Sequence, residues 1–132
     1  AARHPRRRDR AMSAGSIPLL RFFAGELRCG LVAAAVERID VAMPGCQPAS
    51  ELLGAEAIAG VEQRTLHLFA YGRRGRLVVD GPTAVRDVQA TELLPLGRSL
   101  RFLRRGPVLG VAREGEHLVL LIDVAWLVER LA

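Results

Sequence analysis

A mainly β fold, a small barrel or sandwich, is what the sequence predicts, and three observations carry the prediction. Apolar runs of strand length recur along the chain, and Gly-bearing turns separate them. The composition, 50% apolar and 25% charged over 132 residues, belongs to a globular domain rather than a disordered chain. One domain of ordinary size, ~100–200 residues, accommodates the whole length.

Taken in order, "IPLLRFFAGELRCGL" reads as a β-hairpin around Gly25, two apolar runs broken by Gly-Glu. In "VAAAVERIDVAM" the alanines favour helix while Val36, Ile39 and Val41 suit a strand, giving a short turn and then a strand. The stretch from Pro44 to Gln63 carries two Pro and three Gly after Met43 and reads as loop, with one helical turn at Ser50 to Leu53 and Ser50 as its N-cap. "TLHLFAYGRRGRLVVDG" is strand, turn, strand, with Leu66, Leu68 and Ala70 on one face and the turn at Gly72 to Gly75. Val85 and Val88 continue the next segment as far as Pro95. The last stretch gives a strand at Val108 to Val111, a charged turn at Glu114 to Glu116, a continuously buried strand at Leu118 to Ile122, and a closing turn or helix that buries Trp126 or Leu127.

The formal charge of +5 suggests nucleic acid or an anionic membrane until it is located. Residues 1–11 hold five Arg and one Asp, which leaves fourteen Arg against thirteen acidic residues from Met12 onward. The body therefore lacks the basic face that phosphate binding needs. Residues 1–16 are expected to be a disordered basic tail; Met12 resembles a natural start, in which case residues 1–11 would be upstream sequence or the product of a misplaced start. No Lys occurs anywhere. Cys29 and Cys46 form no CxxC pair, so free thiols in a reducing compartment are expected. Neither a signal peptide nor an apolar run near the ~20 residues of a membrane span is found, and a cytoplasmic location without membrane insertion follows.

Catalytic and cofactor chemistry finds little support. His4, His67 and His117 stand apart from each other and from both Cys, so no metal site is expected. Ser50 and Ser99 lack a nucleophile elbow, and His67 reads as a strand surface residue with no acid partner. Two apolar runs end in Asp, "LVVDG" at Asp80 and "LLIDV" at Asp123, but neither has the hydroxyl that follows the Asp of an aspartic protease; each is expected to cap a strand end or start a turn. "GRRGR" has no helix behind it to form a phosphate cradle and reads as a hairpin tip. No enzyme activity and no cofactor are expected.

The ordered set of segments resembles the CheW-like domain family of bacterial chemotaxis. Arg76 to Pro95 and Val108 to Leu131 follow the family pattern in order and spacing, and Gly30, Leu31, Val36 and Ile39 follow its opening, so the resemblance spans most of residues 19–131. Between Met43 and Gly60 the chain departs from it. An Asn- and Arg-bearing strand pair of the family is missing, and only "CQPASELLGAE" remains, similar to the end of that passage through Pro48, Glu51, Leu52 and Leu53. The resemblance implies a single domain over residues 17–132 with two small SH3-like barrels, 17–62 and 63–132 contributing one each and the first incomplete, with short helical segments. It also implies a non-enzymatic adaptor that couples a chemoreceptor tip to the regulatory domain of a histidine kinase, with Val36, Arg38 and Ile39 at a partner surface; the competing reading of Val36 and Ile39 is that they are core. The alternatives are a small-barrel nucleic-acid binder using the Arg tail, and a degenerate paralogue without receptor coupling.

Overall fold

The computed structural model describes residues 15–94 and 106–131. The Arg-rich start with His4 and Met12, and Pro95, Ser99 and Phe102, lie outside the described residues. Strands β1 (Ser16–Ala24) and β2 (Leu27–Val32) form the hairpin expected around Gly25. A 3-10 turn at Ala33–Ala35 leads into β3 (Val36–Val41). The two-residue β4 (Gln47–Pro48) runs directly into a one-turn helix, α1 (Ala49–Leu52). Then β5 (Gln63–Ala70) and the long β6 (Arg73–Gln89) pair as a hairpin. A second 3-10 turn at Ala90–Glu92 precedes β7 (Leu93–Leu94), and β8 (Val108–Glu114), β9 (His117–Ile122) and helix α2 (Val124–Leu131) follow. Among the described residues the strand order is β3-β5-β6-β1-β2-β9-β8-β7, with β4 set against β6 off that path. Among the described residues only β2 with β9 and β4 with β6 are parallel.

This mainly β architecture is built around two hydrophobic cores, and the central strands serve both. On β1, Leu20, Phe22 and Ala24 enter the larger core while Leu19, one step out of phase, enters the smaller. On β9 the alternation repeats: Leu120 and Ile122 pack on the larger core, Val119 and Leu121 on the smaller. A strand buried on both faces has no polar side to show, so it reads as an unbroken apolar run. β6 changes cores along its length, with Leu77 and Val79 in the larger and Val88 in the smaller. It bends between them at Gly81, whose φ is +71°, and there it leaves β5 and begins to pair with β1. Each core thus draws on residues from both sides of residue 62.

One charged side chain lies inside this partition. Arg21 points to the face of β1 opposite Phe22, is almost fully buried, and is ion-paired with Glu114 at the end of β8. A buried guanidinium is tolerated only when paired, so the contact fixes where the β8–β9 turn sits on β1.

Several expectations change. The β5–β6 turn is Tyr71-Gly72, not Gly72 to Gly75: both residues have positive φ, +53° and +74°, as a two-residue type I′ hairpin requires, and Arg73 and Arg74 already pair with Ala70 and Phe69. Ser50 is not an N-cap. It is a buried residue within α1, and Pro48, held extended by its pairing with β6, starts the helix. The strand at Leu118 to Ile122 is not buried throughout, since Leu118 is 57% exposed. The closing segment is a helix that buries Leu127, while Trp126 stays half-buried under the Arg130 guanidinium, 3.8 Å from its ring centre.

Candidate docking surface

β3 is the outer strand at one end of the sheet, paired only with β5 among the described residues. A bulge between Val36 and Arg38 shifts its register. Cross-strand partners share a face, so Val36 and Ile39, opposite Leu68 and Leu66, lie on the core side, and Arg38, opposite His67, lies on the other. Val36 packs against the larger core; Ile39 is 39% exposed and Arg38 is open to solvent. The three residues expected at a partner surface are therefore contiguous along an edge but do not form one face.

The Arg38 face of β3 carries a charge network. Asp40 is ion-paired with Arg38, 2.9 Å from its Nε, and meets His67 Nε2 at 2.8 Å. Glu37 pairs with Arg74, whose guanidinium also covers the Phe69 ring at 4.7 Å. His67 is thus not the expected partnerless surface residue: its side chain is only 13% exposed and Asp40 orients it.

Beside this network a cleft of about 820 Å³ opens between β3 and the segment 45–47 that leads into β4. Residues of β5, β6 and the end of α2 complete its walls, including Leu68, Gly75 and Leu131. Four lining side chains are Arg (Arg38, Arg74, Arg76 and Arg130) against one acid, Glu37. A second, wholly apolar hollow of about 140 Å³ lies on the smaller core, bounded by Ile17, Val32 and Leu109, all exposed.

Asp80 and Asp123, each expected to cap a strand end or start a turn, serve separate structural ends. Asp80 is buried and accepts from the Gly25 backbone N–H at 2.7 Å and from Gln63 Nε2 at 2.9 Å. Asp123 caps α2 through the Ala125 N–H at 2.9 Å. Among the described residues no three His, Cys, Asp or Glu gather as metal ligands would, and no helix is long and apolar enough to cross a membrane.

Both cysteines are free thiols. Burial pushes the Cys29 thiol up to about 12, which removes the thiolate that alkylation requires. Cys46 lies half-exposed on the cleft wall. Iodoacetamide at pH 8 is expected to modify Cys46 in the native protein and Cys29 only after denaturant is added; peptide mapping that finds Cys29 labelled first would contradict this packing.

The cleft was not legible in the sequence. Its Arg residues come from β3, β6 and α2, and only the "GRRGR" run hinted at an anion-facing surface. Arg130 and Cys46 gave no local signal.

No family model and no curated protein matches the chain in sequence. Among solved structures, the fold is similar to the crystal structure of the scaffolding protein TtCheW from Thermoanaerobacter tengcongensis, with a TM-score of 0.63 at 15% identity, covering 81% of this chain and 88% of that one. The likeness extends over most of both chains, and the fold is CheW-like.

Proposed function

We propose that the protein is a cytoplasmic, non-enzymatic signalling adaptor of the chemotaxis type, which holds a histidine kinase in place through its regulatory domain. The observation that supports this most directly is the CheW-like fold, shared with a protein described as a scaffold. A scaffold needs contact surface and no nucleophile, metal or cofactor. The surface here comprises the edge of β3 with Val36, Arg38 and Ile39, unpaired on its outer side among the described residues, and the apolar hollow at Ile17, Val32 and Leu109. Signalling would then run through geometry, the kinase being held where receptor motion biases its active state. The chemoreceptor tip is the second partner. It is expected to bind more weakly than the kinase, because residues 43–60 lack the Asn- and Arg-bearing strand pair of the family, and the resemblance implies that surfaces near that Asn and Arg contribute to receptor contact.

A pull-down against the kinase regulatory domain and the receptor tip from the same genome tests the reading. The kinase domain is expected to be retained, and Ile39→Glu is expected to weaken it about tenfold by placing a charge in the contact. Retention of the kinase alone identifies a paralogue without receptor coupling. Retention of neither partner removes the adaptor reading, and binding of single-stranded DNA in its place would favour a nucleic-acid role for the Arg-rich start.

A further inference from the structure

The larger core is enclosed by an open barrel. Its wall stops at β3 on one side and at β4 on the other, and among the described residues neither strand has a partner on its outer edge. The gap between them is the 820 Å³ cleft. Unpaired strand edges present rows of N–H and C=O groups that accept an added strand.

We propose that this gap is a strand-accepting site, filled by an extended acidic segment of a partner protein that adds to the edge of β3. Charge selects the occupant. Of the four lining Arg residues, Arg38 and Arg74 are already paired with Asp40 and Glu37. Arg76 has no ion pair among the described residues; Arg130 meets Glu129 only at 3.9 Å, its guanidinium lying over the Trp126 ring and donating to the Trp126 carbonyl at 3.1 Å. Neither cation is held by a close carboxylate among the described residues, so both can take one from an incoming strand, and Leu131 offers apolar contact for the residues alternating with them. The chain's own remaining segments fit poorly: residues 1–14 hold five Arg and one Asp, and residues 95–105 hold four Arg and no acid. The inference stands on the cleft and goes beyond the adaptor reading, which concerns folded partner domains.

The test pans a displayed library of random ten-residue peptides against the full chain. Enriched peptides are expected to alternate apolar and acidic residues. A synthetic copy is expected to shift the amide resonances of β3, to lose binding at least about tenfold when alternate backbone nitrogens are methylated, and to lose about tenfold against Arg76→Glu or Arg130→Glu. Failure to enrich any peptide, enrichment of basic peptides, binding indifferent to N-methylation, or shifts confined to β7–β9 would overturn the proposal. So would light scattering that finds a dimer whose β3 amides are protected without peptide, or a free-chain spectrum in which deleting residues 1–14 exposes them. Because the library contains no folded kinase domain, this experiment and the pull-down fail independently.

Discussion

Replacing Gly25 with asparagine is expected to cost roughly 2–4 kcal/mol in a denaturant titration, and the same replacement at Gly115 less than about 1 kcal/mol. The two positions are matched in backbone conformation, with φ of +61° and +60°, and Asn is among the residues that tolerate this region. Conformational strain therefore nearly cancels in the comparison. They differ in what a Cβ would meet. At Gly115 nothing lies within 4 Å. At Gly25 the new atom would run into the backbone carbonyl oxygen of Glu56, with the Glu56 carbonyl carbon at 3.1 Å and the Ala55 Cβ at 3.5 Å. A carbonyl cannot swing aside as a side-chain tip can, so either residues 55–56 or the β1–β2 turn must move. Moving the turn withdraws the Gly25 N–H from Asp80. Equal losses at the two sites would show that residues 55–56 do not close over the turn.

Both turns were visible in the sequence, because a Gly between alternating apolar runs is a local signal. The close approach at Gly25 was not, since Glu56 lies in a stretch whose only local reading is loop. The same division runs through the rest of the molecule. "GRRG" suggested a turn because Gly72 and Gly75 frame two polar residues. Yet Gly75 is needed for packing: a Cβ there would stand 2.6 Å from the Leu131 Cβ, so its role depends on the far end of the last helix, which is distant in sequence. The turn fell on Tyr71, a residue whose positive φ no propensity announces. The apolar runs of β1 and β9 identified strands correctly, but a run apolar on both faces does not say whether it lies inside one core or between two. Arg21, inside such a run, is a buried cation matched by Glu114. For the docking surface, the expectation of an incomplete first barrel came from a missing segment of the family pattern. The location of Val36, Arg38 and Ile39 on the edge beside the cleft required the strand order. The Arg lining required the fold of α2 against β6.

Asp80→Ala is expected to lose about 3 kcal/mol, against about 1 kcal/mol for Asp123→Ala, although both residues end similar apolar runs. Asp123 supplies one capping bond at a helix start where water can substitute. Asp80 is buried at the point where β6 faces both neighbours, opposite Phe23 on β1 and Gln63 on β5. Its two oxygens satisfy a backbone donor from the first hairpin and a side-chain donor from β5, and removing it leaves both donors dry. Asp80→Asn keeps one carbonyl oxygen for the Gly25 N–H, and the Gln63 amide can turn to accept from the new amide. It is therefore expected to lose only about 1–2 kcal/mol, the charge-assisted share of the bonds. Pairing Asp80→Ala with Gln63→Ala in a double-mutant cycle should return a coupling of about 1 kcal/mol. Hydrogen exchange adds a local readout: the Gly25 amide should lose protection in Asp80→Ala before the amides of β8 and β9 do. The next residue, Gly81, is where β6 passes from the larger core to the smaller. A variant that frees Gly25 while leaving both cores intact would separate the pin at this bend from the cores it joins. If Asp80→Ala instead costs no more than Asp123→Ala, the bend is held by strand pairing alone, and the buried carboxylate is incidental to it.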